Sequence, residues 1–201
     1  MAEKLASVLA KSRPHRASTK ASGLLWATHP DMKLMKNKPR TWPKVDQAAR
    51  EAFAAVVKGK KNWPLFLNGR AGTGKTCAAL AFLDLVWSPY LYEPLDKLLA
   101  GLVAIVKQDE YRGFRTAQGV WNTWARQSVV VLDEIGARDR VSDFHYETVK
   151  RAIDEREGKP AVFISNKPLD DLAKIYDDRI ASRLAGGTVM TIICDDRRLG
   201  E

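Results

Sequence analysis

The sequence predicts an α/β fold, a parallel sheet with helices on both faces. Three observations predict it. Short apolar runs of strand length alternate with helical stretches through residues 44–201, and parallel strands need such crossover helices to connect them. The first apolar run leads into Gly69-Arg70-Ala71-Gly72-Thr73-Gly74-Lys75-Thr76, a full match to G-x-x-x-x-G-K-[ST], which belongs between a strand and a helix. A later run, Val129 to Leu132, ends directly in Asp133-Glu134.

The elements follow in order. Lys44 to Val57, rich in Ala, Glu and Gln, reads as a helix that ends at Lys58-Gly59-Lys60-Lys61. Trp63–Leu67 reads as a strand and Lys75 to about Val86 as the helix after the glycine loop. Pro89–Tyr92 is a strand, Leu95–Lys107 a helix and Val129–Asp133 a strand. Asp143–Arg156 forms a helix, stopped by Gly158 and Pro160. Ala161–Ser165 is a strand, Leu169–Ile175 and Asp178–Leu184 are short helices, and Thr188–Cys194 is the last strand.

Composition bounds the class of protein. The chain has 201 residues, 45% hydrophobic and 28% charged, an ordinary balance for a globular protein with its own core. No apolar run approaches the roughly 20 residues of a spanning helix, so no membrane partner is expected. Leu5 to Ala10 is too brief for a secretory signal. Cys77 and Cys194 stand far apart and make neither a disulfide framework nor a zinc site. A cytoplasmic protein with reduced thiols is the expectation.

The net charge of +9 is lopsided. Residues 1–40 carry nine basic and two acidic side chains and so hold +7 of it. Residues 1–43 therefore read as a basic arm broken by Pro14, Pro30, Pro39 and Pro43, and 44–201 as the folded domain. Leu5, Val8 and Leu9 lie at i, i+3 and i+4, which suits either a short partner-binding helix or a frayed terminus. The arm is a candidate for DNA contact by counterion release, or a solubility tail.

The glycine loop carries the chemistry of phosphate binding. Its backbone N–H groups wrap an anion, and the helix starting at Lys75 adds its positive dipole end. Gly69, Arg70, Ala71, Gly72, Thr73, Gly74, Lys75, Thr76 and Cys77 form the expected nucleotide-binding stretch. Lys75 would reach the β- and γ-phosphates of ATP, and the Thr76 hydroxyl would ligate Mg²⁺. Asp133, at the carboxyl edge of the sheet, would hold Mg²⁺ through water. Glu134 would polarise a water for attack on the γ-phosphate. A kinase whose nucleophile is a bound hydroxyl does not need that second acid, so hydrolysis is favoured over transfer.

Sixty-four positions separate Gly69 from Asp133, room for a helix, a strand and another helix. One strand therefore lies between the two motifs, the arrangement of additional-strand P-loop ATPases, with expected order 5-1-4-3-2. The next strand ends Ile164-Ser165-Asn166. Asn166 would lie between the two motif strands as a sensor of the γ-phosphate, or serve as a turn residue before Lys167-Pro168.

Taken together, Val131-Leu132-Asp133-Glu134-Ile135-Gly136, then Ser165-Asn166-Lys167-Pro168, then Asp178-Arg179-Ile180-Ala181-Ser182-Arg183-Leu184, resemble the AAA+ ATPases of the DnaC/IstB group. These are replicative-helicase loaders and related transposition ATPases. The resemblance spans roughly residues 62–198. It implies that Arg183 is an arginine finger acting on ATP held by a neighbouring subunit, with Arg179 its companion. A finger of this kind is worth ~10³–10⁵ in rate. It also implies a nucleotide-dependent oligomer and a helicase or transposase as partner. Seven residues follow the last expected strand, so little or no lid domain is expected, and Arg197 and Arg198 are the candidates for a second sensor or a basic tail.

Single-stranded DNA is the other expected partner. Lys107, Arg112 and Arg115 alternate with Tyr111 and Phe114, and Trp121 and Trp124 follow. Rings stack on bases while Lys and Arg follow phosphates. The two tryptophans, at i and i+3, also suit packing of a short helix onto the sheet.

Overall fold

The computed structural model describes residues 42–85 and 90–195. The basic arm with its Leu5–Leu9 stretch, the start of the second strand at Pro89, and Arg197 and Arg198 lie outside them.

Five parallel strands form one sheet: β1 (Leu65–Asn68), β2 (Tyr90–Pro94), β3 (Val129–Ile135), β4 (Ala161–Ser165) and β5 (Thr188–Thr191). Their spatial order is β2-β3-β4-β1-β5, which is the expected 5-1-4-3-2. Among the described residues seven α-helices accompany them: α1 (Gln47–Val57), which precedes β1, and α2 (Lys75–Leu83), α3 (Leu95–Val106), α4 (Ala117–Arg126), α5 (Asp143–Asp154), α6 (Leu169–Ile175) and α7 (Asp178–Ala185) in the connections. None is long and apolar enough to cross a membrane.

Strand alternation splits the core in two, because successive side chains point to opposite faces. Leu65, Leu67, Val129, Val131, Val162 and Ile164 pack under α1 and α2, with Phe53 and Phe82 stacked at 4.5 Å between those helices. Phe66, Val130, Leu132, Ala161 and Phe163 face the other way, toward α3 to α7. The three central strands are buried on both faces, as the continuous apolar runs in the sequence require.

Several boundaries differ from expectation, each for a local reason. The first helix starts at Gln47 and not at Lys44, because the Asp46 side chain accepts the Ala49 N–H at 3.2 Å and caps it. Residues 42–44 form a 3-10 turn. β1 begins at Leu65, where the Cα pairing with both β4 and β5 starts. β3 runs two residues past Asp133, with an irregularity in its pairing to β4 between Leu132 and Ile135. β5 ends at Thr191, and Ile192 adds one more bond, its N–H to the Asn68 carbonyl at 2.8 Å. Trp121 and Trp124 do pack a helix: α4 is capped by Thr116, and the Trp124 indole donates to the Ala152 carbonyl at 3.0 Å.

Candidate nucleotide-binding site

The loop from Gly69 to Gly74 joins the end of β1 to the start of α2 at the carboxyl edge of the sheet, where open α/β folds bind ligands. Gly74 caps α2 with φ 88° and makes no side-chain cap bond, so the first-turn N–H groups are left for an anion. At Gly69 a Cβ would collide with the Ile192 carbonyl, so only glycine lets the loop pass the chain leaving β5. The Lys75 ammonium is buried and folds back over the loop, donating to the carbonyls of Gly69 and Arg70 at 2.7 Å each. Arg70 and Ala71 are exposed, Thr73 is buried, and Cys77 is buried in the first turn of α2. The Cys194 thiol donates to the Thr73 carbonyl at 3.4 Å, tying the segment after β5 to the loop.

Asp133 meets this loop from β3. Its Oδ2 accepts the Thr76 hydroxyl at 2.7 Å and the Tyr92 hydroxyl at 2.8 Å, while Oδ1 accepts the Glu134 N–H at 2.7 Å. A hydroxyl and a carboxylate side by side are the hard oxygen donors that Mg²⁺ takes, with phosphates and water completing its shell. Among the described residues no cluster of three or more His, Cys, Asp or Glu could hold a metal ion. Glu134 is exposed and sits at φ 66°. Its left-handed backbone falls in the irregularity of β3 between the pairs Leu132–Phe163 and Ile135–Ser165.

Asn166 follows β4, the strand between β1 and β3, so it stands between the tips that carry the two motifs. It is exposed. Ser165 before it braces the edge, its hydroxyl donating to the Ile135 carbonyl at 2.7 Å and accepting the Lys167 N–H at 2.9 Å.

Arg179 and Arg183 are exposed on α7. That helix is fixed by its buried Ile180 and Leu184 and by its cap Asp177, which accepts the Ile180 N–H at 2.8 Å and the Tyr146 hydroxyl at 2.6 Å. Arg183 pairs with Asp154 at the end of α5 of its own chain.

The basic and aromatic segment between α3 and α4 is arranged otherwise. Lys107 is exposed at the end of α3. Arg112 turns inward, 3.1 Å from the carboxylate of Glu93, which is fully buried. Burial pushes the Glu93 carboxyl up, and the Arg112 guanidinium opposes that rise. Arg115 pairs with Glu110 at 2.5 Å. Tyr111 and Phe114 pack toward the core, and Trp121 and Trp124 are buried. The rings of this segment therefore do not offer an open stacking platform, and two of its three cations are engaged with carboxylates of their own chain.

Sequence reasoning missed Tyr92 beside Asp133, the buried Glu93, and a buried Arg156 whose guanidinium donates to the carbonyls of Gln127 at 2.9 Å and Pro160 at 2.5 Å. For Tyr92 and Glu93 the available signal was a hydroxyl or a charge inside an apolar run; Arg156, in the charged run Asp154-Glu155-Arg156-Glu157, gave none.

No protein-family profile matches the chain. A curated relative, the chromosomal replication initiator protein DnaA of Bradyrhizobium sp. (strain BTAi1), is 30% identical over 150 residues, 68% of this chain. The chain spans 29% of that relative's length. Three solved structures are similar in fold. A DnaA bound to AMPPCP and single-stranded DNA matches 80% of this chain and 52% of its own, with TM-score 0.62 and 19% identity. DnaI matches 80% and 94%, with TM-score 0.61 and 21% identity. The DnaC helicase loader matches 64% and 77%, with TM-score 0.54 and 22% identity.

Fold and sheet order define an AAA+ domain. Within that class the chain belongs to the DnaA family, 30% identical to one member over 68% of the chain's own length, and it shares its fold with the DnaI and DnaC structures.

Proposed function

We propose that the chain is an ATPase that binds Mg-ATP between subunits, assembles when loaded, and serves DNA replication in the manner of a helicase loader, in contact with single-stranded DNA. The observation that carries the reading is the meeting of the glycine loop with Asp133: Thr76 joins Asp133 at 2.7 Å, and the Lys75 ammonium folds over the loop onto Gly69 and Arg70. The AMPPCP and single-stranded DNA bound to a DnaA of similar fold, and the similar fold of the DnaC helicase loader, support the ligand and the role.

The residues divide the work. The N–H groups of the loop and the first turn of α2 hold the phosphates, and Lys75 exchanges its two carbonyl partners for phosphate oxygens. Mg²⁺ bound at Thr76 and Asp133 would offset phosphate charge. Glu134 takes the proton of the attacking water, and Asn166 fixes that water's position. Arg183 leaves Asp154 to meet the ATP of the neighbouring subunit, with Arg179 beside it, where a finger of this kind is worth about 4–7 kcal/mol of barrier. A replicative helicase or a transposase is the protein partner.

The test is steady-state ATP hydrolysis at low and high protein concentration, with and without single-stranded DNA. Turnover that rises with both supports an assembling, DNA-coupled machine. Because the finger works in trans, Arg183→Ala should bind ATP yet hydrolyse it at least a hundredfold more slowly. A fully active Arg183→Ala at every concentration would remove the finger, and turnover indifferent to concentration and DNA would leave a solitary nucleotide switch.

A further inference from the structure

Resting on the Mg-nucleotide reading above, we infer that Tyr92 is a positioning residue for the cation site, holding the Asp133 carboxylate in the one orientation that serves a divalent cation beside Thr76. The Cα of Tyr92 pairs with that of Val131, two residues before Asp133 and therefore on the same face of the sheet. The ring is buried among the residues under α2, and its hydroxyl reaches Asp133 Oδ2 at 2.8 Å.

The hydrogen-bond count defines what the phenol does. An ionised carboxylate has about four acceptor sites. On Asp133 three are filled: two on Oδ2 by Thr76 and Tyr92, and one on Oδ1 by the Glu134 N–H. The carboxylate cannot rotate without breaking bonds to α2, to β2 and to the next N–H of its own strand, and about one lone pair remains for a cation or the water it orders. Burial, with the nearby Asp133 charge, pushes the Tyr92 phenol well above its ordinary value. Toward the carboxylate, which can only accept, the phenol is the donor. Thr76 alone could not do this, because a hydroxyl whose oxygen ligates a cation moves with that cation. Tyr92 anchors the carboxylate from the side away from the loop.

The test is Tyr92→Phe in the full chain, with a fluorescent ATP analogue titrated in Mg²⁺ and in excess chelator. The ratio of the two affinities should fall three- to tenfold, part of the worth of one hydrogen bond to a charged group. An unchanged ratio would overturn the inference. A double-mutant cycle separates positioning from general destabilisation: with Asp133→Asn already present, Tyr92→Phe should change the ratio no further. An undiminished effect in that background would also overturn it, since Tyr92 would then act elsewhere. Wild-type protein that binds no analogue in either buffer would instead refute the nucleotide site itself. A urea midpoint for each variant shows that the binding is read on folded protein.

Discussion

The Thr76 hydroxyl donates to Asp133 Oδ2 at 2.7 Å across 57 positions of sequence. That bond joins the helix after the glycine loop to the end of β3, two strands away in the sheet, since β4 lies between β1 and β3. The loop and the acidic strand end are therefore one rigid site, with the carboxylate already aimed at the hydroxyl that would share its cation.

Thr76→Val keeps the shape and removes that oxygen. Metal-assisted nucleotide affinity should drop at least tenfold, and stability should fall by about 1–2 kcal/mol because the buried carboxylate loses a donor. Analogue titrations with and without Mg²⁺, beside a denaturant curve, read both. A wild-type response to Mg²⁺ would remove Thr76 from the cation site.

Glu134 holds a left-handed backbone, φ 66°, at the strand end. A side chain there costs roughly 1 kcal/mol that glycine avoids. Glu134→Gly should therefore raise the unfolding free energy by up to ~1 kcal/mol while reducing hydrolysis 10²-fold or more. Glu134→Gln should lose hydrolysis without gaining stability. Equal thermal midpoints for Glu134→Gly and wild type would show that the strain is not stored there.

Arg156 is 1% exposed, and among the described residues its charge is met not by a carboxylate but by the carbonyls that close α4 and by Pro160 beyond α5. Burial lowers its guanidinium to about 10. Arg156→Ala would leave those carbonyls unpaired around a cavity and should cost roughly 3–5 kcal/mol. Arg156→Lys should recover only part, because a point charge cannot fork to separate carbonyls. Urea midpoints check both, and a loss below 1 kcal/mol for Arg156→Ala would mean the site is reached by water.

What the sequence disclosed and what it withheld divide by distance along the chain. The glycine loop, the Asp133-Glu134 strand end and Asn166 were legible because each is a local pattern of backbone and side chain. The order of the strands was legible because the 64-position spacing of Gly69 and Asp133 leaves one strand between them. Tyr92 could not be read, since its partner lies 41 positions away and the contact depends on the register of β2 on β3. Arg112 reads as a free cation until the fold sets Glu93 against it, 19 positions upstream. Helix ends moved by one to three residues wherever a cap such as Asp46 was decided by side-chain geometry.

Behind the turn that follows β3, Tyr176 and His145 form a brace that responds to pH. Gly136 N–H donates to the Tyr176 hydroxyl at 3.2 Å, so the phenolic proton is left for His145 Nε2 at 3.0 Å, an acceptor only when the imidazole is neutral. Burial, and then the positive charge of Arg138 on the loop after β3, hold His145 below its ordinary 6.5. Tyr176, contributed by the end of α6, stays protonated because burial raises it. Between the two His145 values the unfolded chain binds the proton and the folded chain does not. Stability from this group is therefore complete above pH 6.5 and falls as pH drops through the lowered folded value. His145→Gln cannot titrate, and its amide oxygen can still accept the phenol. Its urea midpoint should be flatter than that of wild type between pH 6.5 and the folded value. Parallel curves for the two proteins across that window would show that His145 carries none of the acid sensitivity.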